Sequence, residues 1–237
     1  MKITTSEAIK NINEHSASLF FTLLLCADFV FIVLHTMNHL PQFSHDDLYD
    51  LGNGSGYSEM FQYLQWLWII ILLAYLAILR RSFSYVAWVL VFAYFLCDDA
   101  FEIHENVGQY ITSNITLMPP FGLRLQDIGE LAVSATVGMI LLICVTWAYL
   151  QGSQAFKKIS QDLLLLILAL IFFGVFVDMA HVAIQQGWKV DFILGTIEDG
   201  GEMLVASLIL WYVFLLSVRE ENATAYLCDL VRGIMKN

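Results

Sequence analysis

Residues Ser84–Leu96 read SYVAWVLVFAYFL and carry no charge, and the next twelve, Cys97–Gly108, read CDDAFEIHENVG. Asp98, Asp99, Glu102, His104 and Glu105 thus crowd into eight positions at the end of an apolar run. An isolated carboxylate inside the hydrocarbon core costs about 2.5 kcal/mol or more at mid-span, so a run of them marks either the water surface or a site. The rest of the chain decides which. Its 237 residues are 59% hydrophobic and 14% charged, with mean hydropathy +0.69, well beyond the roughly 45–50% apolar share of a soluble domain.

Six segments reach the roughly 20 apolar residues that a membrane span needs: 17–35, 61–79, 85–102, 127–150, 163–182 and 198–217. The expected fold is therefore all-α, a single domain over 1–237 formed by a bundle of six transmembrane helices. The first segment is read as a span and not a signal peptide, because it runs into HTMNHLPQF instead of a small-residue cleavage site. Nine of the eleven Lys and Arg fall on one side of such a bundle, leaving Arg124 and Lys189 on the other. Positive charge marks the cytoplasmic side, so both termini are expected in the cytoplasm of a plasma membrane, with a bacterial inner membrane the expected setting. The formal charge of −11 then lies mainly outside. With no basic surface to meet phosphates, a nucleic-acid partner is excluded. Cys26, Cys97, Cys144 and Cys228 lack paired spacing, which excludes a thiolate metal site.

Followed to their outer ends, five segments each carry acids or histidines: His35 and His39; Asp98, Asp99, Glu102 and Glu105; Asp127 and Glu130; Asp178 and His181; Glu198, Asp199 and Glu202. Asp98 is 14 residues past Ser84, and Asp178 is 15 past Leu163, which places both roughly 21–23 Å up a core of about 30 Å. At about 100° per residue, Asp98, Glu102 and Glu105 share one helical face and His104 points away. Asp127, Glu130 and Ser134 share a face, as do Asp178, His181 and Gln185, and Glu198 with Glu202. Asp28, His35 and His39 form a further stripe. The loop over 39–56, rich in Gly, Asn and Asp, reads as an irregular, lid-like connection.

An acid at a helix beginning also offsets the helix dipole, and Asp127 or Glu198 taken singly needs no other reason. His104 reads as interfacial, His15 and His45 as solvated, and Asp28 as a protonated core residue. Ten acids against two bases on one side must nonetheless take up protons or surround a cation, and His35, His39 and His181 favour the cation. Oxygen and imidazole without thiolate suit iron or zinc first, with manganese or calcium also compatible.

The pairs in DDAFE, DIGE, DMAH and EDGGE loosely resemble the ligand pairs of di-iron bundles. Such bundles use ExxH, whereas here only Asp178 and His181 match, with Asp replacing Glu. The set His35, His39, His181, Asp98 and Ser134 resembles that of alkaline-ceramidase-type zinc hydrolases, in a different order. The runs DDAFEIHE, DMAH and EDGGEM resemble those of a family of uncharacterised bacterial six-span integral membrane proteins, over roughly 97–214. That resemblance implies a six-helix membrane fold and supplies no activity.

The sequence thus predicts a membrane metalloprotein, read as a metal-dependent oxidoreductase or hydrolase acting on a lipid-phase or small substrate at the extracytoplasmic face, with membrane lipids as its surroundings. The expected metal ligands are Asp98, Glu102, Glu130, Asp178, His181, Glu202, His35 and His39. Glu102, Glu130 and His35 are the expected catalytic groups, supported from behind by Asp99, Glu105, Asp127, Glu198, Asp199 and Ser134. A divalent-cation or proton-coupled carrier, and a non-catalytic sensor or assembly subunit, are the alternatives.

Overall fold

The computed structural model describes residues 5–113, 124–184 and 187–219; Gln185 lies outside them. The described residues are helical, with no strand among them. In chain order they form α1 (Thr5–Asn38), a 3-10 turn at Asp47–Tyr49, α2 (Tyr57–Leu79), α3 (Tyr85–Phe101), α4 (Ile103–Thr112), α5 (Leu125–Gln151), α6 (Gln154–Ile171), a π-helical stretch at Phe172–Val177, α7 (Asp178–Ile184) and α8 (Gly187–Val218). Five helical segments are long and apolar enough to cross a membrane: His15–Asn38, Tyr57–Leu79, Leu125–Gln151, Gln154–Ile184 and Gly187–Val218. The expected third segment is helix α3, which has 17 residues.

Hydrogen bonds at one end fix the helix directions. Asn13 Nδ2 on α1 donates to Val218 O on α8 at 2.7 Å. Arg80, just after α2, donates from Nη2 to Leu216 O on α8 at 3.0 Å and from Nη1 to the Tyr85 hydroxyl that begins α3 at 2.8 Å. The start of α1 and the ends of α2 and α8 therefore meet, and the opposite end collects the acids and histidines.

The central helix is α8: 61% of its most apolar window is buried, against 17% for those of α1 and α5. Its Ala206, Ile209, Leu210, Val213 and Leu216 pack with Trp66, Leu73, Trp88, Phe92, Phe156 and Leu163 into one core. Ring pairs Phe20–Phe214 at 4.7 Å and Phe21–Trp211 at 4.9 Å lay α1 along it. By contrast α5 turns Met139, Ile140, Ile143 and Trp147 outward, each more than half exposed, as a lipid-facing helix would.

Four local features depart from six straight spans. The expected face shared by Asp98, Glu102 and Glu105 does not form, because Glu102 takes a left-handed conformation (φ 49°, ψ 45°) that ends α3 and restarts the chain as α4. His104, expected to point away, instead turns back onto Asp98. The expected span 163–182 is a helix over Gln154–Ile184 interrupted by the π-helical stretch, which shifts the phase of Asp178 and His181. The expected span 198–217 begins eleven residues earlier, at Gly187.

Glycines make two of these packings possible. A Cβ at Gly129 would lie 2.5 Å from Gly108 O, and one at Gly108 would lie 2.6 Å from Glu130 N, so α4 and α5 cross with their backbones in contact. Gly201 of the EDGGE run lies under the Phe173 ring and Gly174 under the Glu202 carboxylate, so the π-helical stretch and α8 interlock.

Candidate metal centre

Among the described residues, one group of at least three His, Cys, Asp or Glu side chains brings all its ligand atoms within 4.8 Å of one another: His35, His39 and Asp50. The two histidines are one helical turn apart near the end of α1 and so share a face. Asp50 comes from the loop after α1, and the loop's own hydrogen bonds deliver it. Asn38 Nδ2 donates to Asp46 O at 2.9 Å, and Asp46 N donates back to Asn38 Oδ1 at 2.8 Å, clamping the loop to the end of α1. Asp46 Oδ1 then caps the 3-10 turn by accepting from Leu48 N at 3.0 Å. Leu51 buries its side chain, and its N–H donates to His35 Nδ1 at 3.2 Å.

This leaves Asp50 Oδ1 3.2 Å from His35 Nδ1 and Asp50 Oδ2 3.7 Å from His39 Nε2. Ligand atoms around a tetrahedral zinc ion, at about 2.0–2.2 Å from it, lie roughly 3.3–3.6 Å apart. His39 Nδ1 sits 3.1 Å from His35 O. A carbonyl can only accept, so Nδ1 carries the proton and the Nε2 lone pair faces Asp50, the tautomer a metal-ligating histidine needs. His35 is 4% exposed and its Nε2 is buried without a hydrogen-bond partner; because Nδ1 accepts from Leu51 N, the proton of the neutral ring lies on Nε2, and Nδ1 must release Leu51 N to ligate an ion. Phe192 of α8 covers both imidazoles, parallel to His35 (5.1 Å, 4°) and 5.0 Å from His39. Asp199 stands behind: its Oδ2 is 3.1 Å from where a Cβ on Gly52 would be, and Asp50 is among its electrostatic neighbours.

The other sequence-predicted acids gather at the same end but take different partners. Asp98, 8% exposed, accepts His104 N and faces His104 Nδ1, both at 3.0 Å. It thereby caps α4 where Glu102 breaks the helix. Asp99 Oδ2 accepts from Trp66 Nε1 at 2.8 Å. Asp127 accepts Arg124 N at 2.7 Å and pairs with its guanidinium, so the capping reading describes its contacts. Glu130 accepts from Gln126 Nε2 at 2.7 Å. His181 bridges α7 to α8, with Nδ1 2.8 Å from Glu198 and Nε2 2.9 Å from Asp191. Both ring nitrogens meet carboxylates, so His181 must give up one pairing to ligate an ion.

Glu202, whose electrostatic neighbours are Asp199, Asp99 and Glu198, lies against Gly174. Asp178 shares its surroundings with Asp127, Glu130 and Arg124. Glu102 and Glu59 both face Gly54, and Glu105 neighbours His104, Glu102 and Glu130. Ser134 is half-buried on α5.

Beyond the spans, electrostatics take a definite sign. The hydrogen bond that His104 donates to Asp98, reinforced by Glu105 and Glu130, lifts His104 from 6.5 to about 9. Burial first, then the acids around it, pushes Glu105 above its ordinary value, and hydrogen bonding to Asp127 raises Arg124 further. A histidine whose value rises on folding contributes stability that is complete below about pH 6.5 and is lost as pH climbs through about 9. For this partly exposed pair the loss should be on the order of 1–2 kcal/mol. Thermal unfolding followed from pH 6 to 10 should show that decline in the native chain and a flatter profile in His104→Gln.

Sequence reasoning missed Asp50, Glu59, Tyr63, Trp66, Asp191 and Phe192. The signal for Asp50 was its place in SHDDLYDLG, within reach of two histidines one turn apart. A family model described as a domain of unknown function (DUF8692) matches residues 17–218. The chain belongs to this family. The DUF8692 match takes in four of the five membrane-length helices whole, the first of them from residue 17, and every residue of the His35, His39 and Asp50 group. No curated protein matches the chain. No solved structure matches it.

Proposed function

We propose that the chain is a six-span integral membrane metalloprotein, both termini cytoplasmic, that holds one divalent transition ion between His35, His39 and Asp50 at its extracytoplasmic face and acts as a metal-dependent enzyme. The observation that carries this reading is the convergence of two imidazoles and a carboxylate within 4.8 Å, with the His39 tautomer already set by a backbone carbonyl. Three protein ligands on a four-coordinate ion leave a position for water or substrate, the pattern of catalytic zinc sites and, with two His and one carboxylate, of iron(II) oxygenases. Zinc or iron is the expected ion, with hydrolysis the reaction for zinc and oxidation the reaction for iron. The ion would supply a Lewis acid and an activated water.

The chain's own residues supply the rest. Phe192 keeps bulk water off one side of the imidazoles, which strengthens every charge interaction there. Asp50 is partly exposed on a loop of mostly exposed residues, so a lipid-phase or small substrate can approach. Asp199 adds a carboxyl group behind the ligands, with Asp50 among its electrostatic neighbours, and so favours a cation over an anion at this place. The carrier alternative draws less support from α5: Thr136 is exposed and spends its hydroxyl on Ala132 O of its own helix.

Metal content of the purified full-length chain tests the proposal. About one equivalent of zinc or iron should be present in the native protein and in His181→Ala, and should be missing from His39→Ala. Metal lost from His181→Ala but kept in His39→Ala would move the site to the acids of α7 and α8.

A further inference from the structure

A second group of polar side chains lies deeper, and the metal reading does not use it. Asp28 on α1, Gln65 on α2 and Ser207 on α8 are each 0% exposed. Asp28 is 13 residues from one end of its membrane-length segment and 10 from the other, so it sits near mid-span, roughly 15–20 Å from either end. Gln65 Nε2 donates to Ser207 Oγ at 2.7 Å, which ties α2 to α8. Ser207 is also the side chain that bears on Asp28, although no hydrogen bond of good geometry closes between them. Both oxygens of Asp28 and Oε1 of Gln65 remain buried without a partner. Ser207 thus stands between the Asp28 carboxyl and the Gln65 amide, and three acceptor atoms around it have no partner.

Such a set lacks donors, and four kinds of occupant can be weighed. A bare carboxylate at mid-span is among the most expensive groups a bundle can hold. Here no charged side chain is among the groups bearing on Asp28 from α2 or α8. A divalent cation would need roughly six or more oxygens, whereas Asp28, Gln65 and Ser207 together offer four. A water molecule would donate to the orphaned oxygens but would leave the negative charge in place. A proton removes the charge and turns one acceptor into the missing donor.

We propose that Asp28, Gln65 and Ser207 form an intramembrane proton-binding site, in which Asp28 is the neutral acid and donates toward the oxygens of the Ser207–Gln65 pair. The site stands apart from the metal centre: Asp28 is seven residues before His35, about 10 Å along α1. Because the same helix carries His35 and His39, a movement of α1 at the metal centre would also change the surroundings of this proton.

Infrared spectroscopy of the full-length chain in phosphatidylcholine vesicles, stripped of metal with a chelator, tests the site. At neutral pH the native chain should show a carboxylic-acid carbonyl band that shifts on exchange into D2O, disappears in Asp28→Asn and moves in Ser207→Ala, where a hydrogen-bond partner is gone. Asp28→Asn keeps the size of the side chain, and Ser207→Ala removes one oxygen, so the two variants guard against a single failure to fold. A native spectrum that matches Asp28→Asn in the acid region, with the difference confined to the carboxylate region, overturns the assignment. So does an acid band indifferent to Ser207→Ala. Since the measurement is made without metal, its result does not depend on whether the metal centre holds.

Discussion

Asp50→Ala should lower zinc affinity by about a hundredfold or more, measured by competition with a chelator of known affinity. A structural zinc site gathers roughly 10–16 kcal/mol over its ligands, so one of three or four donors carries on the order of 3 kcal/mol, about a hundredfold. Asp50 carries more than its share because it is the negative ligand, within 3.2 Å of His35 Nδ1 and 3.7 Å of His39 Nε2. Its loss also loosens the loop, since Leu51 N then holds His35 with no neighbouring carboxylate to align it. Asp199→Asn, which removes a charge behind the ligands while leaving all three in place, should cost only about tenfold.

Gly129→Val should produce the largest loss of stability of any single change considered. A Cβ there would lie 2.5 Å from Gly108 O and 2.8 Å from Thr112 Cγ2. A backbone carbonyl cannot swing aside as a side-chain tip can, so α4 must move off α5 as a body. Overpacking of this kind costs about 1–3 kcal/mol or more, read as a fall in the thermal midpoint in detergent. The same motion should pull His104 from Asp98 and flatten the pH dependence described above. Gly138→Ala is the matched control: nothing lies within 4 Å of its added Cβ, and replacing an interior helical glycine by alanine should stabilise by up to about 1 kcal/mol.

Hydrophobic runs disclosed the helices because each apolar stretch is long and its flanks are polar, and the one-turn spacing of His35 and His39 disclosed one wall of the candidate metal centre. The other wall was hidden for a physical reason. Asp50 reaches the site through Asn38, Asp46 and the turn between them, and helical periodicity says nothing about where a loop folds back. The same limit applies at Glu102, where a residue of ordinary helix propensity takes a left-handed conformation because Asp98 can cap the restarted helix. Counting charges also overstated how bare the acids are. Asp99 and Glu59 are served by the Trp66 indole and the Tyr63 hydroxyl, which are neutral donors that an inventory of acids and bases leaves out.

X-ray absorption spectroscopy of the zinc-loaded full-length chain tests the central claim most directly. The account predicts a shell of nitrogen and oxygen at about 2.0–2.1 Å with the multiple-scattering signature of two imidazoles, and one imidazole in His39→Ala, which loses the ion on purification, when that variant is reloaded at high zinc concentration. A shell of oxygen alone, a sulfur ligand, or two imidazoles undiminished in that variant would contradict it.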